Sequence, residues 1–392
     1  MIALVLGALS LAIWLHIVFG RSGFWRAADR DDVDEPAEPT SWPAVVAVVP
    51  ARDEADVIAR SIGSLLAQDY PGELSVVLVD DGSTDGTAAA ARAEAARQGS
   101  DRLEVLTGAP LPAGWTGKLW AVSQGVAHAG ATPTFLLLTD ADIGHAPDNL
   151  RKMVSRAVAE DRVVVSLMAK LHCASKAERF LIPAFVYFFD MLYPFGKVSD
   201  PRSKVAAAAG GVMLIRRETL KRAGGIAAIR REIIDDCALG RLLKAQGSIR
   251  LDLTERAVSL RPYAGVREIG RMVSRSAYAQ LGYSPLLLAG TLLGMVLTYI
   301  LPVVLPVLTI ASLDGWTRLG GVLAFLAFDL MLISFAPMVR FYRAPWIWVL
   351  ALPAIGAAYT VFTVESALDV WRGRGGQWKG RAQAITGREV AA

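Results

Sequence analysis

Cysteine and histidine are nearly absent from the 392 residues: Cys173 and Cys237 stand far apart, and His16, His128, His145 and His172 follow no metal-ligand spacing. Neither a disulfide framework nor a zinc site is supported. Charge is scarce too. Lysine and arginine number 41 against 37 aspartates and glutamates, and charged residues make up 20% of the chain. The net charge of +4 is too small to define a nucleic-acid surface, and no nucleic-acid partner is expected. Basic residues cluster beside apolar stretches, as they do at a cytoplasmic membrane face. What is abundant is hydrophobic: 53% of residues, with a mean hydropathy of +0.39. That is too apolar for an ordinary soluble enzyme and too charged for a plain bundle of spans, so a soluble domain joined to membrane segments is expected.

Four apolar runs stand out. Residues 1–20 are almost free of charge and are followed by Arg21, Arg26 and Arg30, the reverse of a cleaved signal. The reading is an uncleaved anchor whose C-terminal end faces the cytoplasm. Residues 285–311, 319–339 and 345–364 each reach the roughly 20 residues that a span requires, giving a membrane region over 285–364. Asp329 is expected to face another helix or water. Three single passes would put the tail 365–392 outside, yet Arg372, Arg374, Lys379 and Arg381 argue for inside. Pro302 and Pro306 would allow the first run to be broken or re-entrant. An acidic connector, residues 29–42, reads as a solvated linker.

Residues 43–265 alternate in pattern. "AVVAVV", "SVVLVD", "LEVL", "TFLLLT" and "RVVVSLM" read as strands, and "EADVIARSIGSLLAQ", "TDGTAAAARAEAAR", "KLWAVSQGVAHA" and "PDNLRKMVSRAVAE" as helices. Alternation of this kind gives an α/β fold, a doubly wound, mostly parallel sheet. Ligands in such sheets sit at the carboxyl ends of the strands. Acidic residues fall there three times: Asp53 and Glu54 after the first strand, Asp80 and Asp81 at the end of the second, and Asp140 and Asp142 after "LLLT". Continued strand alternation would put Asp140 and Asp142 on one face. Three carboxylate clusters at one edge repel one another unless a cation or a donor-rich ligand neutralises them.

The ensemble "VVPARDEADVIARSIGSLLAQDYP", "LVDDGSTDGT", "GWTGKLWAVSQGV", "LLLTDADI", "AAAAGGVMLIRRETLKRAGGI" and "IIDDCALGRLLKAQG" resembles the family 2 glycosyltransferases, over about residues 44–250. Within that family the anchor, "RMVSRSAYAQLGYSP" and "GGQWKGR" look most like the bacterial hopanoid-associated membrane enzymes. The resemblance implies a GT-A fold, Rossmann-like, with transmembrane helices. It also implies a UDP- or GDP-sugar donor, a lipid hydroxyl acceptor of hopanoid or polyprenyl type, and a multi-pass protein of the bacterial inner membrane with a cytoplasmic catalytic domain. A polysaccharide-forming or sphingolipid-like transferase, or a non-catalytic nucleotide-sugar-binding membrane protein, is the alternative.

Residue by residue, the resemblance implies that Pro50, Arg52, Asp53, Glu54 and Gly82 belong to the donor-binding motifs and that either Asp80 or Asp81 reads the nucleoside. Asp142, with Asp140 beside it, is the expected ligand of Mg²⁺ or Mn²⁺, since a hard oxygen site suits either ion. Asp236 stands at the catalytic base and Asp235 where the family more often has glutamate; a merely helix-capping pair is the rival reading. Lys118 is either a phosphate contact or a solvated surface lysine. Gly210 and Gly211 either admit the sugar closely or bend a strand. Membrane synthases of the family often carry Gln-x-x-Arg-Trp after the base. Here "GRMVSRSAY" offers Arg271 and Arg275 without the tryptophan, which counts against a processive polymer synthase. Both arginines suit a diphosphate or an anionic membrane surface, on an interfacial helix over 266–284. "LIPAFVYFFDMLYPFG" is expected at the membrane interface, with core packing as the rival.

Overall fold

The computed structural model describes residues 1–374 and the backbone of 377–378 and 381–382. Its centre is an eight-stranded sheet made of β1 (Val45–Ala51), β2 (Leu74–Asp80), β3 (Leu103–Thr107), β4 (Phe135–Thr139), β5 (Ile143–His145), β6 (Val164–Lys170), β7 (Val212–Arg216) and β8 (Ile249–Ser259). The strand order is β3-β2-β1-β4-β7-β6-β8-β5. Strands β1 to β4 form a parallel half, and β6 runs parallel to β8. Strand β7 is antiparallel to both its neighbours, β4 and β6. The expected alternation holds for the first half; the reversed β7 and the long β8 are additions that a purely parallel pattern does not reveal.

Both faces of the sheet are covered because side chains alternate along each strand. Val45, Ala47 and Val49 enter one core and Val46 and Val48 the other. The second core does not stop at the domain edge. It runs through the helix Lys176–Leu192 to Met331 and Phe335 of the helix Gly315–Phe341 and Phe362 of the helix Leu352–Trp371. That helix carries the aromatic segment expected at the lipid interface. Tyr187 meets the Ser334 hydroxyl at 2.8 Å, Tyr359 donates to the Leu181 carbonyl at 3.0 Å, and Phe188 packs edge-on against Tyr299 and Tyr359. Its side chains are therefore largely spent on protein packing.

Among the described residues, four helices are long and apolar enough to cross a membrane: Ile2–Gly20, Pro285–Thr309, Gly315–Phe341 and Trp346–Trp371. The second contains a π-turn, Val296–Ile300, immediately before Pro302. Proline has no N–H for the carbonyl four residues earlier, and the chain solves this from outside. The Trp14 indole donates to the Thr298 carbonyl at 2.7 Å, and the Ser10 hydroxyl to that of Leu297 at 3.0 Å. The N-terminal helix crosses Gly315–Phe341 so closely that a Cβ on Gly7 would lie 2.0 Å from the Gly320 carbonyl oxygen. Small residues at such crossings let backbones touch. Asp329 is half-buried and makes no ion pair among the described residues.

The acidic connector is pinned rather than loosely solvated. Asp29 and Asp31 exchange backbone hydrogen bonds with Leu253 of β8, at 2.8 and 3.1 Å. Asp31 pairs with Arg256, Glu35 with Lys152, and Glu38 with Arg151. The basic tail's Lys379, and the Arg381 side chain, lie outside the described residues.

Candidate functional site

The loops after β1 and β2 interlock. Arg52 donates to the Asp81 carbonyl at 2.5 Å and lies 3.7 Å from its buried carboxylate. Asp53 sits in the left-handed region with φ 51°. Its N–H donates to the Ser83 hydroxyl, and its carboxylate accepts from the Thr84 N–H at 2.9 Å. Asp80 accepts from the Ser83 N–H at 3.0 Å, an Asx turn completed by Gly82 at φ 67°. Asp53 and Asp80 thus shape the turn. The Glu54 carboxylate turns to Arg261, which also pairs with Asp56 at 3.2 Å.

Asp140 and Asp142 are brought together differently from the sequence expectation. Strand β4 ends at Thr139, and a turn follows in which the Ile143 N–H bonds the Asp140 carbonyl. The two carboxylates are neighbours across a turn, not alternate residues of a strand. Asp140 pairs with Lys118 at 2.8 Å; Asp142 lies 3.8 Å from Arg261. Burial, and after it the charges of Asp140 and Glu54, push the Asp142 carboxyl up to about 6 against the pull of Arg261. Negative charge is in excess here, and all the donors are carboxylate oxygens. That is the chemistry Mg²⁺ or Mn²⁺ accepts. Among the described residues no three acidic, histidine or cysteine side chains form a complete cage, so an ion held here needs further oxygen ligands from a diphosphate or water.

Asp235 and Asp236 open the helix Asp235–Lys244. The capping reading fails in detail: the residue at the cap position is Ile234, and it makes no side-chain cap. Asp235 lies 3.2 Å from the Lys118 ammonium. Asp236 accepts N–H bonds from Gly210 at 3.0 Å and from Cys237 at 2.7 Å. Burial, then the neighbouring Asp235 charge, lifts its carboxyl to about 6, with Lys118 and the two N–H groups opposing. Lys118 is no solvated surface lysine. Burial disfavours its charge, but Asp140 and Asp235 outweigh that and hold it protonated. Gly210 stands between these groups, since a Cβ there would lie 3.2 Å from the Asp236 carboxylate and 3.5 Å from the ammonium. Gly211 accepts through its carbonyl from the Thr139 hydroxyl and the Asp140 N–H, tying β7 to the turn.

Arg271 and Arg275 are exposed, with Arg267, along one side of the helix Val266–Gln280, whose opposite side buries Ile269 and Val273. Two contributors escaped the sequence reading, Arg261 and Tyr263, because both follow the unrecognised strand β8. Burial raises the Tyr263 hydroxyl to about 12, and Asp142 and Arg275 both act on it electrostatically. The Tyr263 N–H donates to Glu178 at 2.8 Å. Glu178 is also the capping-box residue of Lys176–Leu192. Burial opposes its charge, but the N–H groups of Tyr263, Ser175 and Ala174, with His172, bring its carboxyl down to about 2.

A mixed sheet with carboxylates converging at the ends of β1, β2 and β4 defines the class as GT-A-like. Residues 46–235 match the family model described as "Glycosyl transferase family 2", so this part of the chain is supported as a family 2 glycosyltransferase domain. Among curated proteins, a stretch of 62 residues is 45% identical to succinoglycan biosynthesis protein ExoU of Rhizobium meliloti (strain 1021); it covers 16% of this chain and 17% of that relative. The chain therefore spans only about a sixth of the curated relative it matches. Among solved structures, the mannosyltransferase PcManGT from Pyrobaculum calidifontis, in complex with GDP-Man and Mn²⁺, aligns over 92% of this chain and 99% of its own, with a TM-score of 0.53 and 22% identity. That is a likeness of fold. Glucosyl-3-phosphoglycerate synthase from Mycobacterium tuberculosis, in complex with Mg²⁺ and UDP, aligns over 64% of this chain and 87% of its own, with a TM-score of 0.41 and 18% identity.

Proposed function

We propose that the protein is a membrane-bound, metal-dependent, inverting glycosyltransferase that moves a sugar from a nucleotide donor to a hydroxyl of a lipid at the cytoplasmic leaflet. The acceptor is a hopanoid-type or polyprenyl lipid. One observation carries the reading: a carboxylate lifted to about 6, Asp236, lies across a single half-buried ammonium from the Asp140–Asp142 turn, in a domain whose core continues into helices able to span a membrane. Asp236 takes the proton of the acceptor hydroxyl as that oxygen bonds to the anomeric carbon. The bond from that carbon to the diphosphate breaks, and the nucleoside diphosphate leaves with the electron pair. A single displacement inverts the anomeric centre. Asp142 and Asp140 would hold Mg²⁺ or Mn²⁺, which when bound neutralises charge on the departing diphosphate. The fold relative holding GDP-Man and Mn²⁺ supports a ligand pair of that kind. Asp80 and Asp81 flank the nucleoside end, where a carboxylate accepts a base N–H.

The local likeness to a succinoglycan biosynthesis protein favours one second reading, in which the lipid already carries a growing glycan. Mass-spectrometric lipid profiling after gene deletion tests both. A missing simple glycolipid supports the first, a truncated lipid-linked glycan the second, and an unchanged lipid profile refutes transfer to lipid. Asp142→Asn is expected to abolish transfer of label from UDP-sugars or GDP-mannose while the protein still folds. Near-normal transfer would remove Asp142 from the ion's site.

A further inference from the structure

We infer that Lys118 is a positioning residue that ties the helix carrying the base to the donor end of the site, and that Asp235 serves as its anchor rather than as a second catalytic carboxylate. The inference rests on the transferase reading above and assigns a division of labour within it. Three segments far apart in sequence meet at one ammonium. Lys118 lies in the first turn of the helix Gly117–His128, Asp140 follows β4, and Asp235 is the first residue of the helix Asp235–Lys244. The ammonium is 2.8 Å from Asp140 and 3.2 Å from Asp235. Beneath it is an apolar recess walled in part by Leu119, Val122, Leu138, Met213 and Leu239. With such a floor on one side, these half-exposed ion pairs are screened less than pairs on an open surface.

The neighbours behave as this assignment requires. Asp235 gives its carboxylate to Lys118, whereas Asp236, one residue on, bonds only backbone N–H groups among the described contacts. Its remaining lone pairs are the ones left to meet an acceptor hydroxyl. Gly210 carries no side chain into the space between Asp236 and the ammonium. Taking the ammonium away leaves Asp140 and Asp235, both half-buried, as neighbouring like charges without their counter-ion. The base helix and the β4 turn then lose their cross-link, and Asp236 loses its register against the donor.

The test uses the full chain in detergent micelles, with Lys118→Met, Lys118→Arg, Asp235→Asn and the Lys118→Met/Asp235→Asn double variant. Thermal unfolding and UDP or GDP binding with Mn²⁺ are measured alongside transfer from labelled UDP-glucose and GDP-mannose into native lipid extract. A positioning role predicts that Lys118→Met lowers kcat at least a hundredfold while nucleotide affinity changes less than threefold. Lys118→Arg should recover a tenth or more of the lost rate. Asp235→Asn should cost little further in the Lys118→Met background, in melting temperature as in kcat. A large loss of nucleotide affinity with kcat preserved makes Lys118 a phosphate ligand and overturns the inference. Additive effects of the two substitutions overturn it as well. If the unaltered protein transfers no sugar, the transferase reading fails by itself, and the coupling in melting temperature still decides whether Lys118 and Asp235 act as a pair.

Discussion

Lowering the pH should switch the reaction off well above the range where an ordinary aspartate would. Asp236 is buried beside Asp235, and its carboxyl is lifted to about 6 from 3.8. A base works only when deprotonated. With a value near 6, about a tenth of the molecules hold the ionised base at pH 5 and about nine-tenths at pH 7, a roughly tenfold rise in rate between them. An unshifted aspartate would already be ionised in about nine-tenths of the molecules at pH 5 and would give a nearly flat profile. The sign carries over to stability: a raised acid is better tolerated protonated, so its contribution worsens as pH climbs from 3.8 through 6. At about 1.4 kcal/mol per pH unit, the ionised Asp236 costs the fold at most about 3 kcal/mol at neutral pH. Asp236→Asn should therefore abolish transfer and raise the melting temperature at pH 7.5, with the gain shrinking at pH 4.5. Because Asp142 titrates in the same range, kcat at saturating donor and metal is the quantity to follow, with nucleotide affinity measured in parallel. A kcat unchanged between pH 5 and 7, or an Asp236→Asn variant that melts lower at pH 7.5, would refute the reasoning.

Gly320→Leu should push the N-terminal helix off Gly315–Phe341, since even a Cβ there would lie 2.3 Å from the Ala3 carbonyl. A loss of about 1–3 kcal/mol or more is expected, read as a lower melting temperature in detergent and faster proteolysis after Gly20. Trp14→Phe keeps the ring but removes the donor to the Thr298 carbonyl; about 1–3 kcal/mol should be lost, and an unchanged melting temperature would count against that bond. Arg256→Ala removes the partner shared by Asp31, Glu35 and Asp148, so limited proteolysis should cut the connector earlier while the long apolar helices stay intact.

The parts of this molecule legible in the sequence are those whose causes are local. Alternating apolar runs gave β1 to β4 and their helices, and turn chemistry placed Asp53, Asp80 and Asp140 at strand ends. The four apolar helices were equally plain, because length and composition decide them. What stayed hidden depends on partners distant in the chain. The connector reads as solvated because its charges find Arg151, Lys152 and Arg256 more than a hundred residues away. Lys118 reads equally well as a phosphate contact or a surface lysine until the fold brings Asp140 and Asp235 to it. Strand β8 opens on a clean apolar–polar alternation, Ile249 to Thr254, that the reading passed over; its second half, from Glu255 and Arg256, loses that alternation and gives no such sign. The turn at Asp140–Asp142 was misread as strand, since the apolar pattern before it gives no sign of where pairing with β7 ends.

The placement of Glu178 suggests how membrane and site are joined. One carboxylate caps the helix Lys176–Leu192, which packs on the long apolar helices through Tyr187 and Phe188, and holds the backbone of Tyr263, whose hydroxyl feels the charges of Asp142 and Arg275. Four donors meet it in a nearly solvent-free position, and a group so placed is costly to disturb. The segment carrying Arg261 and Tyr263 is therefore fixed by the same residue that starts the docking helix. A shift of the long apolar helices would reach the Asp142 side of the site by this route, and Lys118, paired with both Asp140 and Asp235, connects that side to the helix carrying Asp236. The two ends of the proposed reaction centre are thus joined: Glu178 fixes the Arg261–Tyr263 segment to the helix Lys176–Leu192, and the Lys118 ion pairs link the β4 turn to the helix that carries Asp236.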